Sequence, residues 1–374
     1  MVHTLLNPAF HRLQKVSGAM VRASKRLPDD TLRLLAKVFG YKNLHPTLEP
    51  QLQLLLAIND LVVGPSVGDF DPVQSRQRFR DRVAMFLGET TTVAAVDDYV
   101  MTNRMGSPIA LRHYQPLLNS LNTDTPSNIK NNPLPLLVFF HGGGMLVGDL
   151  DTHDEPCRLL CQHGQMQVLS IDYRLLPEHP VPAAVEDGID AMQWAHDHAA
   201  MLGADPRRIV IGGDSAGGNL ASVICQQLAG HPTQPAAQLL IYPAVDMHSE
   251  YPSYDTYGEG LYFSRASHYE SKEIAFQKTD IRPNDPLISP IFGNLANLPP
   301  ALMITAELDM LRDEGELYAS KMLTAGSSCS TYRVIGQGHG FINATAVSQG
   351  AYDATVKIAQ DFSTLVNRLA HSPD

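Results

Sequence analysis

Cysteine is scarce in this 374-residue sequence, and long apolar runs are absent. Four cysteines without a CxxC pair do not form a disulfide scaffold in a chain of this length. The longest apolar runs, such as residues 54–58 and 134–140, are far shorter than the roughly 20 residues needed to cross a bilayer. The first residues also lack an apolar segment followed by a small-residue cleavage site. We therefore expect a reduced, cytoplasmic protein that does not span a membrane.

Positive charge is in deficit as well. The chain has 28 Lys and Arg against 39 Asp and Glu, a formal net charge of −11. Such a surface repels phosphate backbones, so no nucleic-acid partner is expected. Metal-binding patterns are missing too: there is no HExxH, and His196 and His198 are two positions apart, on different sides of a helix. The spacing of the histidines therefore predicts no metal site.

From about residue 93 onward, short apolar and β-branched runs alternate with longer helical patterns, as in strands linked by crossover helices. Strands are predicted at residues 96–102, 109–114, 134–140, 167–172, 208–212, 238–242, 301–305 and 331–335. A helix over residues 182–202 should pack on the sheet, and residues 117–133 form a solvated loop. The pattern predicts an α/β catalytic domain over residues 93–374.

Residues 1–92 differ, because apolar positions recur at helical spacing in 30–39 and 50–59 without strand-like alternation. We expect an N-terminal extension and a helical cap region here. A second irregular stretch, about residues 246–284, is rich in tyrosine and could contribute to the cap. Its aromatic side chains either wall a substrate pocket or form a surface excursion. These aromatic residues are Tyr251, Tyr254, Tyr257, Tyr262 and Phe263.

The pattern G-x-S-x-G occurs twice, at residues 64–68 and 213–217. A nucleophilic serine in this pattern needs a strand before it, a sharp turn that exposes its hydroxyl, and a helix directly behind it. Ser215 meets these conditions, because residues 208–212 read as a strand and 219–228 as a helix. Ser66 does not, since it follows a helical pattern and precedes residues that break helices. We therefore predict Ser215 as the nucleophile and Ser66 as part of a turn.

Three glycines follow His141, directly after the predicted strand 134–140. Acyl transfer requires backbone N–H groups aimed at the oxygen that becomes negative in the tetrahedral intermediate. Consecutive glycines let the backbone approach that oxygen. We predict Gly142 and Gly143 as two donors, and the N–H of Ala216, next to the nucleophile, as the third.

A serine nucleophile needs a base, and the base needs a carboxylate that fixes its tautomer. His339 follows the last predicted strand between two glycines, which makes it the predicted base. Asp309 follows the seventh strand, where loops gather at the carboxyl ends of a parallel sheet, and is the predicted acid. Asp313 and Glu307 are rivals. Asp313 is better explained as the N-cap and first-turn charge of a helix, and Glu307 is too near the strand end.

At these residues the chain resembles the bacterial hormone-sensitive-lipase-like esterases, a branch of the α/β-hydrolases. The matching motifs occur in order at residues 141–144, 148–151, 173–180, 213–219, 289–290, 309–315 and 339–341. The resemblance implies an eight-stranded, mostly parallel sheet, a helical N-terminal cap, hydrolysis of short- to medium-chain carboxylic esters, and no cofactor. It assigns the same triad and oxyanion donors. The chain departs from the family at Leu176, usually alanine, and at Met145, commonly aromatic.

Two other functions use the same scaffold. An amidase or deacylase would share the triad and the tetrahedral intermediate, and it differs mainly in how its leaving group is protonated. A ligand-binding receptor is the other alternative, since plant gibberellin receptors resemble this family but lack the catalytic histidine. His339 is present here, which favours an enzyme.

The N-terminal extension is basic. Residues 1–26 carry five Lys and Arg and no Asp or Glu. With Asn7 as N-cap and Pro8 in the first turn, this segment is predicted to form an amphipathic helix of moderate quality. It could dock on the acidic body as part of the cap, or bind an anionic membrane surface. We favour docking, because Gly18 weakens the helix and the apolar face is short.

Overall fold

The computed structural model describes residues 23–42, 45–62, 71–118 and 133–369. Its strands are β1 Ala95–Thr102, β2 Pro108–Gln115, β3 Leu134–Phe140, β4 Gln167–Ile171, β5 Ala204–Asp214, β6 Gln238–Ile241, β7 Ala301–Leu308 and β8 Cys329–Gly338. They form one eight-stranded sheet in the order β1-β2-β4-β3-β5-β6-β7-β8. β2 is antiparallel to both of its neighbours, and all other pairs are parallel. The predicted α/β fold with a mostly parallel sheet is confirmed.

Helices cover this sheet and extend ahead of it. The α-helices are α1 Asp29–Val38, α2 Pro50–Val62, α3 Pro72–Phe86, α4 Asp154–Gly164, α5 Ala183–Asp197, α6 Ala199–Leu202, α7 Ala216–Gln227, α8 Pro252–Tyr257, α9 Arg265–Phe276, α10 Arg312–Thr324 and α11 Gln349–Leu369. The predicted helix over residues 182–202 is thus two helices that meet at His198. None of the helices in the described part of the chain is long and apolar enough to span a membrane.

The core lies on both faces of the sheet. Alternate residues of β3 point to opposite sides: Leu136, Val138 and Phe140 join one buried cluster, while Leu137 and Phe139 join the other. All five side chains are fully buried. A strand covered by helices on both faces reads as a continuous apolar run, which is why the sequence located β3 without error.

Strand β5 is longer than the sequence predicted. Gly213 and Asp214 continue its pairing with Leu240 and Ile241 of β6. A glycine and a buried carboxylate carry no apolar strand signal, so sequence patterning ended this strand at residue 212. The extension matters because it brings the chain directly to Ser215.

The N-terminal helices form from local signals. The side chain of Asp71 accepts a hydrogen bond from the N–H of Gln74 at 2.9 Å, and Pro72 occupies the first position of α3. An N-cap acid followed by proline is a standard helix start. On α2, Leu52, Leu55 and Leu56 join the buried cluster on one face of the sheet.

Several sequence predictions lie outside the described residues. These are the amphipathic helix that would begin at Asn7, the turn at Ser66, and most of the loop over residues 117–133. The four cysteines, by contrast, are all described, and each carries a free thiol.

Candidate active site

Three predicted catalytic residues follow three strands of the parallel part of the sheet. Ser215 comes directly after β5, Asp309 after β7 and His339 after β8. Because parallel strands end at the same edge, their following loops gather there. The structure brings all three side chains together at this edge.

Ser215 occupies a sharp turn between β5 and α7. Its backbone has φ 54° and ψ −118°, a strained conformation for a residue with a side chain. The turn is so tight that a Cβ on Gly213 would collide with the backbone of Gly217, and a Cβ on Gly217 would collide with the carbonyl of Phe140. Both glycines are therefore required by close backbone approach. The resulting strand, turn and helix present the Ser215 hydroxyl to the pocket.

A continuous hydrogen-bond chain joins the three residues. The imidazole Nδ1 of His339 lies 2.7 Å from Oδ2 of Asp309, and its Nε2 lies 2.8 Å from Oγ of Ser215. Asp309 is 1% exposed, and its other oxygen accepts the N–H of Leu311 at 2.9 Å. A carboxylate only accepts hydrogen bonds, so Nδ1 carries the proton and Nε2 is left to accept the serine proton.

Two aromatic rings hold the imidazole of His339. Phe263 stacks on it with a centroid separation of 4.7 Å, and Tyr242 lies at the same centroid distance in a tilted orientation. Packing on two sides limits the ring to the orientation in which both of its hydrogen bonds form.

The structure corrects the expected oxyanion donors at Gly142. Its N–H donates to Oδ1 of the buried Asp214 at 2.8 Å, so this group is not free to bind a substrate oxygen. Within the described ranges, the N–H groups of Gly143, Gly144 and Ala216 donate to no protein acceptor. All three residues line the same pocket as Ser215.

Asp214 has a structural role beneath the glycine loop. Burial alone would raise the pKa of its carboxyl, but the neighbouring His153, 3.4 Å away, and the Gly142 N–H hold that pKa below its usual range. The ionised carboxylate therefore anchors the first glycine of the loop, which leaves the next two glycines to face the pocket.

The pocket over Ser215 encloses about 230 Å³. Both residues at which the chain departs from the family resemblance, Met145 and Leu176, line it. Of the tyrosine-rich stretch, Tyr262 and Phe263 line the pocket, while Tyr254 is buried in the protein body. The pocket-wall interpretation therefore holds for Tyr262 and Phe263, whereas the buried Tyr254 fits neither a pocket wall nor a surface excursion.

The rival carboxylates are engaged elsewhere. Oε2 of Glu307 accepts the N–H of Gly336 at 2.8 Å. Oδ2 of Asp313 accepts the N–H of Ser253 at 2.9 Å. The N-cap position of α10 is taken by Leu311, so the expectation that Asp313 is the N-cap is wrong, and Asp313 supplies first-turn charge only. Across the described part of the chain, no cluster of three or more His, Cys, Asp or Glu could hold a metal ion.

Comparison with known proteins shows the family of this chain. The model of a protein family with the alpha/beta hydrolase fold matches residues 137–343 of this chain. A carboxylic ester hydrolase of Mycobacterium tuberculosis, LipN, is 39% identical over 86% of this chain and 84% of its own length. The chain belongs to the hormone-sensitive-lipase-like family of α/β-hydrolases. An ethyl acetate hydrolase of Pseudomonas putida is 32% identical over 85% of this chain and 98% of its own length.

A solved structure supports the same family. The hyperthermophilic esterase of the archaeon Pyrobaculum calidifontis superposes with a TM-score of 0.73 at 34% identity, over 85% of this chain and 98% of that one. This member of the hormone-sensitive-lipase-like family is thus an ester hydrolase.

Sequence reasoning missed the residues that this hydrolase contributes from α3 and α9. Phe79 and Arg82 of α3, and His268 and Ser271 of α9, line the pocket without belonging to any motif. Local signals could have located the helices themselves, since Ser264 caps α9 by accepting the N–H of Ser267. No sequence signal indicates which of their side chains face the pocket.

Proposed function

We propose that Ser215, His339 and Asp309 are the catalytic triad of a serine carboxylesterase that acts through an acyl-enzyme. The observation that carries this proposal is the hydrogen-bond chain from Asp309 Oδ2 through His339 to Ser215 Oγ. Each of its two links is short enough to transfer or hold a proton without rearrangement.

In the first half of the reaction, Oγ of Ser215 attacks the ester carbonyl carbon while Nε2 of His339 takes its proton. The carbonyl oxygen becomes an oxyanion, and the Asp309 carboxylate stabilises the imidazolium. When the tetrahedral intermediate collapses, the C–O bond to the alcohol breaks and Nε2 returns the proton to the departing alkoxide. The acyl group remains on Ser215.

In the second half, water attacks the acyl-enzyme. Nε2 of His339 removes a proton from this water, and a second oxyanion forms at the same carbonyl oxygen. Collapse releases the carboxylic acid as the proton returns to Ser215 Oγ. The enzyme thus recovers its starting state, and the sum of both halves is hydrolysis of one ester.

We propose the N–H groups of Gly143, Gly144 and Ala216 as the oxyanion donors. This set keeps two of the residues expected from sequence, and Gly144 takes the place of Gly142. Ala216 is the first residue of α7, so its N–H lies at the positive end of the helix dipole. Such preorganised donors typically contribute about 3–4 kcal/mol each to transition-state stabilisation.

Short- to medium-chain esters are the proposed substrates. The pocket of about 230 Å³ suits a small acyl group, and its apolar lining includes Met145, Leu146 and Phe263. The name of the Pseudomonas putida relative, an ethyl acetate hydrolase, supports a small ester. A carboxylesterase of this kind needs no cofactor.

A panel of p-nitrophenyl esters from acetate to palmitate tests this function. We expect kcat/KM to be highest between acetate and octanoate, and Ser215→Ala to abolish hydrolysis of every member. The matching p-nitroanilides test the amidase alternative. Higher kcat/KM on the anilides than on the esters, or full activity in Ser215→Ala, would overturn the proposal.

We further propose that residues 1–92, together with about 246–284, form the cap over the domain of residues 93–374. Support comes from α3 and α9, since both helices place side chains in the pocket. The contacts of Arg76 form a clamp between α3 and the pocket wall. Its guanidinium pairs with Glu178 at 2.7 Å and donates to the carbonyls of Leu146 and Leu176.

The basic N-terminal segment is proposed to dock on the protein body rather than on a membrane. At its end, Nζ of Lys25 donates to the carbonyl of Thr345 at 3.3 Å and lies 5.7 Å from the ring centroid of Tyr352. Burial lowers the pKa of Lys25, and the acidic side chains of Asp353 and Glu49 partly offset this effect. A cytoplasmic location is proposed with it, in keeping with the free thiols.

A further inference from the structure

A second buried polar chain, which ester hydrolysis does not require, ends in the active-site pocket. It begins at Glu314, whose carboxyl is fully buried and accepts the N–H of Val245 at 2.7 Å. The hydroxyl of Tyr254 lies 2.8 Å from the other carboxyl oxygen of Glu314 and 3.3 Å from Nε2 of His268. His268 lines the pocket together with Ser215.

The ring of His268 is held close to the catalytic histidine. Phe263 contacts both imidazoles: its ring is roughly perpendicular to that of His268 at a centroid separation of 5.8 Å and stacks on His339 at 4.7 Å. His268 is 3% exposed, and burial lowers its pKa to about 3. Its imidazole is therefore neutral near pH 7, with one nitrogen that donates and one that accepts.

One nitrogen of this ring has no hydrogen-bond partner among the described residues. Nε2 is turned to Tyr254, and Nδ1 makes no hydrogen bond within the part of the chain that the structure describes. On the same helix, the neighbouring hydroxyl of Ser271 is already engaged, because its Oγ donates to the carbonyl of Ser267 at 2.9 Å. His268 is thus a neutral residue of the pocket wall whose Nδ1 can form a further hydrogen bond. An unmet polar group of this kind selects for a ligand that satisfies it.

Either tautomer of His268 is compatible with the chain behind it. Burial raises the pKa of Glu314 to about 8, so this carboxyl can be protonated or ionised near neutral pH. If it is ionised, Tyr254 donates to it and His268 donates from Nε2, which leaves Nδ1 as an acceptor. If Glu314 is protonated, Tyr254 can donate to Nε2, and Nδ1 becomes a donor. A hydroxyl group, which both donates and accepts, pairs with His268 in both states.

We propose that His268 is a specificity residue that binds a hydroxyl group of the substrate, so that the preferred substrates are hydroxy-substituted esters. Tyr254 and Glu314 are positioning residues that hold the ring of His268. This inference rests on the proposed esterase function, because it concerns the substrate class of the same pocket.

Pairs of esters that differ by one hydroxyl test the inference. Ethyl 3-hydroxybutyrate is compared with ethyl butyrate on the acyl side, and 2-hydroxyethyl butyrate with propyl butyrate on the alcohol side. The readout is the kcat/KM ratio within each pair, divided by the ratio of alkaline hydrolysis rates so that intrinsic reactivity cancels. In the wild-type enzyme we expect about a tenfold preference for the hydroxy ester in at least one pair, the factor for one hydrogen bond of roughly 1.4 kcal/mol.

Variants then assign the preference to His268. His268→Phe should reduce the corrected ratio to about one, His268→Gln should keep part of the preference, and Tyr254→Phe should lower it several-fold, mainly through KM of the hydroxy ester. The matched control is Tyr251→Phe, whose hydroxyl bonds Asp246 at 2.6 Å outside the pocket. This control should leave the ratio unchanged.

Two outcomes would overturn the inference while leaving the esterase function intact. One is a wild-type enzyme that hydrolyses both members of every pair with a corrected ratio near one. The other is a His268→Phe enzyme that retains the preference. Failure of the proposed function itself gives a different result. The wild-type enzyme would then not hydrolyse ethyl butyrate, or Ser215→Ala would hydrolyse it at the same rate. If His268→Phe does not fold, the His268→Gln and Tyr254→Phe ratios decide.

Discussion

At the scale of single residues, the site depends on which polar atoms already have partners. His339 donates from Nδ1 because its partner there is the Asp309 carboxylate, 2.7 Å away. Gly142 cannot serve an oxyanion because Asp214 occupies its N–H. In both cases, a partner on a different strand or loop decides the role of the residue.

Asp309→Asn should lower kcat by orders of magnitude, on the order of 10⁴ as for the same change in a serine protease. The amide can donate to Nδ1, which places the imidazole proton on Nε2, where it can no longer accept from Ser215. Circular dichroism should confirm that the variant is folded. Asp313→Asn is the matched control, with little effect on kcat expected. A larger loss of kcat in folded Asp313→Asn would show that the acid is assigned to the wrong residue.

Acid stability should depend on His141. Burial lowers the pKa of this imidazole from 6.5 to about 4, so the folded protein binds fewer protons than the unfolded chain between these values. The stabilisation is therefore complete above about pH 6.5 and is lost as the pH falls toward 4. Its size is on the order of 3 kcal/mol.

Thermal unfolding from pH 7 to pH 4.5 measures this contribution. We expect Tm of the wild-type protein to fall more steeply over this range than Tm of His141→Gln. The exposed His179 supplies the control, His179→Gln, which should follow the wild type. If Tm falls equally with pH in all three proteins, His141 does not govern the loss of stability in acid.

At the scale of helices and strands, one side chain links α3 to the loops that line the pocket. Arg76 makes a two-pronged pair with Glu178 and donates to two carbonyls, those of Leu146 and Leu176, in loops that line the pocket. Guanidinium groups suit this task because their donors are fixed in one plane. The clamp therefore links a cap helix directly to the pocket wall.

Replacing Arg76 by alanine should lower kcat/KM for p-nitrophenyl butyrate by about tenfold, since a lost clamp worth roughly 1–3 kcal/mol leaves two pocket carbonyls without donors. Arg80→Ala on the same helix is the control, because Arg80 pairs with Asp149 from a half-exposed position outside the pocket. Equal losses in the two variants would mean that α3 acts as a charged surface and not through this clamp.

The sequence predicts the helices and strands better than it predicts the contacts between them. β3 was exact because both of its faces are apolar, and Ser215 was identifiable because strand, turn and helix are adjacent in the chain. The sequence does not show the role of Gly142, because that role depends on a hydrogen bond to Asp214, 72 positions away. Arg76 and His268 belong to no motif, and only their neighbours in space show what they do. Local signals predict elements, whereas pocket walls come from contacts distant in sequence.

At the scale of the whole molecule, charge supports the proposal that the N-terminal segment docks on an acidic body. The chain carries a net charge of −11, yet its first 26 residues contain basic side chains and no acidic ones. Lys25 contacts Thr345 and Tyr352 near Asp353. This arrangement favours docking on the protein itself.

Deletion of residues 1–26 should then lower Tm by several degrees, which corresponds to about 1–2 kcal/mol for a domain of this size. Loss of stability or changed hydrolysis of soluble esters supports docking. Binding to anionic liposomes provides the contrasting measurement. If the truncated enzyme keeps full stability and soluble-ester activity but loses salt-sensitive liposome binding, the segment serves a membrane surface instead.

Covalent labelling tests the central claim most directly. The full-length protein is treated with a serine-directed organophosphate, and peptides carrying the label are identified by mass spectrometry. The account predicts one label per chain, on Ser215, and none in Ser215→Ala, while Ser66→Ala is labelled at the wild-type rate. A label on Ser66, or undiminished labelling of Ser215→Ala, would contradict it.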